Sequence, residues 1–429
     1  MAREFVLGLA CLAAIIVLLE WERFCLAGLR KKIPLRICVT GTRGKSTVTR
    51  LIAAALRESG RRVMAKTTGS KPVLIYPDGR EMEVVRRGLP SILEGKKLLK
   101  EAVRSGADVL VAELMSIRPD CLAAETSGIL RPQHVVITNA RLDHMDEMGR
   151  TRAEIAKSLS AAIVPDSRVY VLAEETHEQF GTAAAKKGAR LIRIPSPRLL
   201  ESMDYGIRGK KPAAGECGAM IGIRDDRRSY VSARGASPSG DFEENLRLAL
   251  AVAQEVDVDE STFLRGLARY RPDFGGLKIW HTKLGNPPRT WHLASVFAAN
   301  EPESTERALD VVRSRIPFEG KKTVGLLSFR EDRGERTQQW LGAMELGFFR
   351  GFDRVYFIGA HVHSLKVRKI CRSSEGRAAA ITTDEPEKIM NSIVAAVADD
   401  AVLVGMGNMG GMGEKMASYW ESIGTEVHA

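Results

Sequence analysis

Residues 35–47, with the sequence LRICVTGTRGKST, decide the fold. Leu35 to Thr40 is a short apolar run that predicts a buried strand, and the stretch from about Ser46 to Glu58 is rich in Ala and Leu and predicts a helix. A glycine-bearing loop joins the two. This order of strand, tight loop and helix is typical of a parallel α/β sheet.

The same alternation continues along the chain. Further runs that predict buried strands are Val109 to Ala112, Val135 to Thr138, Val169 to Leu172, Val324 to Leu327, Val355 to Gly359 and Ala401 to Val404. A helical segment from Asn245 to Gln254 follows an irregular stretch, near 195–240, that is rich in Gly, Ser, Pro and charge. We therefore predict an α/β protein with an N-terminal membrane helix, a P-loop domain built on a doubly wound parallel sheet, and a smaller C-terminal α/β domain. The predicted bounds are 1–32 for the membrane anchor and its basic juxtamembrane segment, 33–283 for the central domain and 284–429 for the C-terminal domain.

The N-terminal segment is apolar enough to meet a membrane. Phe5 to Leu19 carries no charge, although a spanning helix usually needs about 20 apolar residues. Basic residues follow this run in greater number than they precede it, which places the rest of the chain in the cytoplasm by the positive-inside rule. They are Arg23, Arg30, Lys31 and Lys32 after the run and Arg3 before it. We predict a single-pass anchor in the cell membrane; a cleaved signal peptide and a buried core helix are the alternatives.

The loop Gly41-Thr42-Arg43-Gly44-Lys45-Ser46-Thr47 has the composition of a phosphate-binding loop. Its glycines let backbone N–H groups approach a phosphate closely, the following helix contributes its N-terminus, and Lys45 contributes a cation. Ser46 stands where a hydroxyl ligates magnesium that is bound to the β- and γ-phosphates. The full eight-residue pattern would begin with a glycine where this chain has Val39, so the loop is a shortened form.

Two later residues are candidate metal ligands. Glu113 comes directly after the run Val109 to Ala112, and ligand-binding groups collect at the carboxyl ends of parallel strands. His144 lies five residues beyond Asn139, where another predicted strand ends, and Asp143 and Asp146 lie near it. For Glu113 the alternative is a surface or capping residue, and for His144 a structural histidine.

Three motifs in order resemble the Mur ligase superfamily: GTRGKST at 41–47, AELMS at 112–116 and TNARLDHMD at 138–146. Within that superfamily the chain is most similar to the catalytic subunits of poly-γ-glutamate synthases of CapB or PgsB type. The N-terminal apolar segment, KTTG at 66–69, FAAN at 297–300, REDRGERTQQ at 330–339 and GMGN at 405–408 carry this closer resemblance.

The resemblance implies an ATP-dependent acid–amino-acid ligase that activates a carboxylate as an acyl phosphate and adds glutamate to a growing γ-glutamyl chain. It implies that Gly41, Thr42, Gly44, Lys45, Ser46 and Thr47 bind the ATP phosphates. Ser46 and Glu113 would hold one Mg²⁺, and His144 a second. Asn300 would contact the nucleotide base, and Lys278 lies where the superfamily usually has an arginine for the γ-phosphate. Lys157 is a near match to a carbamylated lysine of the superfamily, with a plain surface lysine as the alternative.

Composition limits the function classes further. With 44% hydrophobic and 27% charged residues the chain is globular, and its six cysteines lie far apart without a C-x-x-C pair, which favours a reducing compartment. The net charge of +11 suits an anionic substrate or membrane surface but does not select a partner. We expect a small integral-membrane partner subunit, from the resemblance, and no nucleic acid. A related ligase with a different acceptor, and a regulatory or nucleic-acid-dependent P-loop ATPase, are the alternatives.

Overall fold

The computed structural model describes residues 2–69, 72–86, 90–143, 145–195, 223–225, 228–230, 240–271 and 277–427. The chain forms two compact units, one of residues 1–236 and 242–271 and the other of residues 237–241 and 272–429. The irregular stretch predicted near 195–240 lies largely outside the described residues. Its described part is a short hairpin of β9 and β10, Ile223–Asp225 and Arg228–Tyr230. The five cysteines that the structure describes are free thiols.

The first unit contains an eight-stranded sheet in the order β4-β3-β2-β5-β1-β6-β7-β8. Its strands are β1 Leu35–Thr40, β2 Val63–Thr67, β3 Val73–Ile75, β4 Glu81–Glu83, β5 Val109–Glu113, β6 His134–Ile137, β7 Arg168–Leu172 and β8 Arg190–Ile194. The six strands from β2 to β8 in this order are parallel, and β3 and β4 extend the edge antiparallel. The prediction of a parallel α/β sheet is confirmed.

Helices cover both faces of this sheet, as in a doubly wound fold. They are α1 Ala2–Lys31, α2 Lys45–Glu58, α3 Glu94–Arg104, α4 Pro119–Ala123, a π-helix Ala124–Leu130, α5 Met145–Met148, α6 Arg152–Leu159, α7 Glu178–Lys186, α8 Gly240–Glu255 and α9 Glu260–Ala268. One face buries apolar residues of α3, α4, α6 and the C-terminal end of α1, and the other buries those of α2, α8 and α9. The strands are apolar on both sides because both faces are covered.

Helix α1 is long and apolar enough to cross a membrane, and among the described residues it is the only such helix. Its most apolar window has a mean hydropathy of 2.2 and none of it is buried in the protein. Its last turns behave differently, because Leu26 is 7% exposed and packs into the core of the first unit. The predicted anchor 1–32 is thus one continuous helix with an exposed part and a docked part.

The second unit contains a seven-stranded sheet in the order β15-β14-β13-β16-β12-β11-β17. Its strands are β11 Lys278–Leu284, β12 Arg289–Ser295, β13 Lys322–Phe329, β14 Arg354–Gly359, β15 Ala378–Ala380, β16 Ala401–Gly407 and β17 Thr425–Glu426. Its helices are α10 Pro302–Arg315, α11 Gly334–Glu345, α12 Leu365–Ser373, α13 Pro386–Ala396 and α14 Glu414–Ile423. Five strands, β12 to β16, are parallel and β11 pairs antiparallel with β12 over seven residues.

The predicted boundary at 283/284 falls inside β11, whose seven residues all pair with β12 in the second sheet. Backbone hydrogen bonds hold this hairpin along its full length, which apolar patterning alone does not reveal. The bounds of the predicted domains remain a prediction.

Candidate active site

The loop between β1 and α2 lies at the carboxyl edge of the first sheet, where β1, β5 and β6 end side by side. Gly41 and Gly44 both have positive φ, 130° and 77°, a conformation that favours glycine. A Cβ atom at Gly41 would lie 2.1 Å from Thr138 Oγ1, and one at Gly44 would lie 2.1 Å from Asn245 Oδ1. The two glycines are therefore required both by backbone conformation and by close neighbours.

Asn139, two residues beyond the end of β6, holds the loop in place. Its Oδ1 accepts hydrogen bonds from Thr42 Oγ1 at 2.6 Å and from the Arg43 backbone N–H at 3.0 Å. The backbone N–H of Arg141 donates to Thr42 Oγ1 at 3.0 Å, and the hydroxyl of Thr138 donates to the Arg43 carbonyl at 2.5 Å. These bonds preorganise the loop, so that ordering it on ligand binding costs little conformational entropy.

The loop has the charge of an anion site. The Lys45 ammonium group donates to the carbonyls of Gly41, at 2.7 Å, and Thr42, at 3.4 Å, and so lies over the loop. Helix α2 begins at this lysine, and its first turn contains no acidic residue to offset the positive end of the helix dipole. Thr47 lies in the same turn and is partly buried. A phosphate group is the ligand that such an arrangement suits best.

Ser46 and Glu113 meet beside the loop. Ser46 Oγ donates to Glu113 Oε2 at 2.7 Å, and the Thr68 backbone N–H donates to the same oxygen at 2.7 Å. Glu113 is only 3% exposed, and both of these hydrogen-bond donors are neutral groups. A buried carboxylate next to a serine hydroxyl is a hard-oxygen pair that fits Mg²⁺, which is commonly held by one or two protein oxygens together with substrate phosphates. Among the described residues, no group of three or more His, Cys, Asp or Glu side chains lies placed to hold a metal ion.

The other predicted metal ligand, His144, lies outside the described residues, between Asp143 and helix α5. Asp143 forms an ion pair with Arg43 of the loop at 3.5 Å, so the chain before His144 is close to the phosphate loop. Lys157 lies on α6 and is exposed.

A second group of charges lies near the same edge of the sheet. Lys66 of β2 is 3% exposed and donates to Glu94, at the start of α3, at 2.7 Å, and Arg86 donates to both carboxylate oxygens of Glu94. Burial works against the ionised form of Glu94, but the hydrogen bonds from Arg86 and Lys66 outweigh it and hold its pKa at about 2. Burial raises the pKa of the neighbouring Glu125, although Ser116 donates to it at 2.7 Å. The pKa of Glu94 is therefore lowered and the pKa of Glu125 is raised, although both carboxyl groups lie near Lys66.

The two nucleotide contacts predicted in the second unit lie at one edge of its sheet. Asn300 follows β12 with φ at +60°; its amide donates to the Ala298 carbonyl at 2.9 Å, and its own carbonyl accepts from Trp340 Nε1 at 3.0 Å. Lys278 pairs in register with Ser295, the last residue of β12, and its ammonium group forms an ion pair with Glu421 at 2.8 Å. Their contact with ATP remains a prediction.

Sequence reasoning missed several residues that shape the first site. Asn139 is adjacent to a predicted strand end, a signal that would have found it. Asn245, on α8, contacts the loop from two hundred residues further along the chain, and the pairing of Lys66 with Glu94 needs the packing of α3 on the sheet. No pattern in the sequence indicates those two contacts.

Two family models match different parts of the chain. The family model "Mur ligase middle domain" matches residues 39–196, and "Poly-gamma-glutamate synthase CapB C-terminal domain" matches residues 281–423. The folylpolyglutamate synthase/dihydrofolate synthase of Yersinia pestis CO92 superposes with a TM-score of 0.64 at 14% identity, covering 93% of this chain and 92% of that one. MurF of Acinetobacter baumannii gives 0.62 at 16% identity, covering 93% and 80%. These structures show the fold.

Two curated relatives show the family. The capsule biosynthesis protein CapB of Bacillus anthracis is 28% identical over 342 residues, which are 78% of this chain and 66% of that protein. The PGA synthase CapB of Bacillus subtilis (strain 168) is 30% identical over 314 residues, 72% of this chain and 70% of that protein. The matched part thus spans about two thirds of each relative's length. The resemblance inferred from the motifs is confirmed, and the chain belongs to the CapB family of poly-γ-glutamate synthases within the Mur ligase superfamily.

Proposed function

We propose that this protein is an ATP-dependent amide ligase that adds glutamate to a growing γ-glutamyl chain. The observation that carries the proposal is the contact of Ser46 with the buried Glu113 beside a phosphate loop, in a chain 30% identical to a PGA synthase. A solved folylpolyglutamate synthase/dihydrofolate synthase with this fold is described with Mn, AMPPNP and L-glutamate bound, which supports ATP, a divalent metal and glutamate as the ligand classes.

The reaction has two steps. A carboxylate oxygen of the acceptor attacks the γ-phosphorus of ATP, the bond to the β-phosphate oxygen breaks, and ADP leaves. The amine of glutamate then attacks the carbon of the acyl phosphate; inorganic phosphate leaves with the bonding electrons and the nitrogen loses a proton. A carboxylate alone is a poor acyl donor, so the first step supplies the leaving group.

The residues of the loop hold the phosphates for both steps. We expect the N–H groups at the start of α2 to donate to phosphate oxygens, and the Lys45 ammonium group to exchange its carbonyl acceptors for them. Such fixed donors stabilise the charge of a transferring phosphoryl group without reorganisation during the reaction. Asn139 acts through the loop by keeping Thr42 and Arg43 in place.

Ser46 and Glu113 would hold one Mg²⁺, and His144 a second. When bound, these ions polarise phosphoryl oxygens and neutralise developing charge. Asn300 would contact the base of ATP and Lys278 its γ-phosphate, both by the resemblance given above.

The proposed location is the cell membrane. Helix α1 would span the bilayer once, with both compact units in the cytoplasm, and a small integral-membrane partner subunit would take the polymer across. Arg30 does not add to the basic charge that faces the lipid headgroups, because its guanidinium group is bound to the carbonyls of Gly128 and Ile129. Release of the protein from membranes by alkaline carbonate would contradict a spanning anchor.

The test is synthesis of polymer by membranes that contain the protein and its partner subunits, supplied with ATP, Mg²⁺ and radiolabelled glutamate. We expect ATP-dependent γ-linked polymer from the wild type, none above background from Lys45→Ala, and full activity from Lys100→Ala, a matched change at an exposed lysine of α3. Polymer from Lys45→Ala at the wild-type rate would overturn the site. ATP turnover that responds to DNA or RNA but not to glutamate would overturn the function.

A further inference from the structure

Helix α1 ends at the amino edge of the first sheet. Three residues join it to β1, and Arg36 of β1 donates from its guanidinium group to the carbonyls of Arg30, at 3.0 Å, and Ile33, at 2.5 Å. At the same edge the Leu35 N–H donates to the carbonyl of Asp108, just before β5. The last turn of α1 therefore lies at the edge opposite the phosphate loop.

Nine residues before Lys31, α1 lies at the height of the opposite, carboxyl edge of the first sheet. Glu22 forms an ion pair with Lys96 in the first turn of α3. That turn is at the carboxyl edge, since the preceding Glu94 binds Lys66 near the end of β2. Helix α3 then descends to Arg104, near the start of β5. From Glu22 to Lys31, α1 spans about 13 Å, at 1.5 Å per residue. Strand β5 spans about 13 Å from Val109 to Glu113, so this part of α1 covers the height of the sheet.

The exposed apolar part of α1 must then continue past the carboxyl edge. The large side chains from Phe5 to Leu19 are each more than half exposed, and these 15 residues extend about 22 Å beyond the docked part. Such a length of exposed apolar helix needs an apolar solvent, and a lipid bilayer is the one that fits a single helix of this kind.

We propose that the carboxyl edge of the first sheet, with the phosphate loop, Ser46 and Glu113, faces the membrane surface, and that the amino edge faces away from it. The proposal rests on the membrane anchor and ligase function proposed above and adds an orientation to them. The consequence is that amide bonds form at the level of the lipid headgroups, on the side of the unit from which an exported polymer must leave.

The connection between α1 and the first unit is stiff enough to maintain this orientation. Arg30 donates to the carbonyls of Gly128 and Ile129 at the end of the π-helix, at 3.1 and 3.0 Å. Arg36 adds bonds to the carbonyls of Leu130 and Arg131, at 2.9 Å each. Leu26 is packed in the core between these polar contacts and the pair of Glu22 with Lys96. The helix is held at both ends of its docked part and cannot swing freely.

The test compares two labels on one helix. Leu93→Cys, just before α3, and Arg104→Cys, at its end, are both exposed and about 16 Å apart along the helix axis. Each is made in the full-length chain with the native cysteines replaced, labelled with a fluorophore, and reconstituted into phosphatidylcholine and phosphatidylglycerol vesicles that carry nitroxide-labelled headgroups in both leaflets.

We expect the label at position 93 to be quenched at least about threefold more strongly than the label at 104, because only the first lies at the membrane level. Equal quenching, stronger quenching at 104, or failure of the protein to float with the vesicles would overturn the orientation. Parallel vesicles that also contain the partner subunits are assayed for polymer. Polymer with a reversed quenching pattern refutes the orientation and leaves the ligase function standing, whereas the expected pattern without polymer refutes the function alone.

Discussion

Replacing Gly44 by alanine tests the conformation of the phosphate loop. Gly44 has φ at +77°, and a Cβ atom there would lie 2.1 Å from Asn245 Oδ1 and 2.8 Å from Asn245 Cγ. The left-handed conformation costs alanine about 1–2 kcal/mol. Displacing a side chain from a packed site costs about 1–3 kcal/mol more. We therefore expect Gly44→Ala to lower the free energy of unfolding by about 2–5 kcal/mol.

Gly60 provides the matched control at the other end of α2. Its φ is +85°, but a Cβ atom there would meet nothing within 4 Å. Gly60→Ala should cost only the conformational part, about 1–2 kcal/mol. Thermal unfolding of the full-length protein in detergent measures both variants. At roughly 2–4 °C per kcal/mol for a unit of this size, Gly44→Ala should unfold several degrees below Gly60→Ala.

The double variant Gly44→Ala/Asn245→Ala separates the two contributions. Since it removes the overlapping side chain, its midpoint should recover toward that of Gly60→Ala. Polymer synthesis should fall about 100-fold in Gly44→Ala, because a shift of the loop by about 1 Å misplaces the phosphate donors. Gly60→Ala should keep full activity. Equal midpoints for the two single variants, together with normal activity of Gly44→Ala, would refute the reasoning about the loop.

Three further changes test other contacts. Glu113→Gln keeps the shape of the side chain but removes its charge. We expect little change in thermal stability, whereas calorimetry should show Mg²⁺-dependent ATP binding weakened at least about tenfold. Unchanged ATP binding would contradict the metal site. Glu94→Gln should lower the free energy of unfolding by about 1–2 kcal/mol at neutral pH. This is less than the full free energy that corresponds to the shift of the Glu94 pKa from 4.5 to about 2, because solvent screens the charges of the pair. Because that pKa is lowered in the folded state, the stability is present above pH 4.5 and is lost toward pH 2; midpoints of wild type and variant that fail to converge over this range would count against it. Arg36→Met removes the guanidinium donor from four carbonyls, of which that of Arg30 keeps the Ile33 N–H as a donor. We expect a loss of about 2–4 kcal/mol with faster proteolysis after Arg30. An unchanged cleavage rate would show that α1 is held by other contacts.

Local patterns in the sequence predicted the elements of the fold well. The strand Leu35–Thr40 was predicted to the residue, and the runs at 109–112, 169–172 and 401–404 all lie within observed strands. A buried parallel strand is a short apolar run between helices, so its signal is contained in a few adjacent residues. The meeting of Ser46 with Glu113 also follows from one rule, that neighbouring parallel strands end at the same edge of the sheet.

Contacts between distant residues were not predicted. Asn245 reaches the loop only because α8 packs across the sheet beside α2, and the boundary of the second unit depends on the pairing of β11 with β12. Neither event leaves a periodic pattern in the sequence. The docking of the C-terminal end of α1 was not predictable for the same reason. In the sequence Leu26 and Arg30 are typical of the end of a membrane segment, and only the structure shows the carbonyls to which Arg30 donates.

The shortened phosphate loop has a physical explanation in the same long-range contacts. Val39, where the longer pattern has glycine, is fully buried in β1 and pairs in register with Glu113 and Val136. A glycine inside this central strand would lose packing and conformational order, so the strand continues to Thr40 and the loop begins only at Gly41. A loop this short has few groups with which to stabilise itself. The side chain of Asn139, just beyond the end of the neighbouring strand, replaces those internal bonds by accepting from Thr42 and Arg43. The conformation of the loop therefore depends on residues that follow two neighbouring strands, β1 and β6. A substitution at Asn139 should weaken phosphate binding as strongly as a substitution in the loop itself.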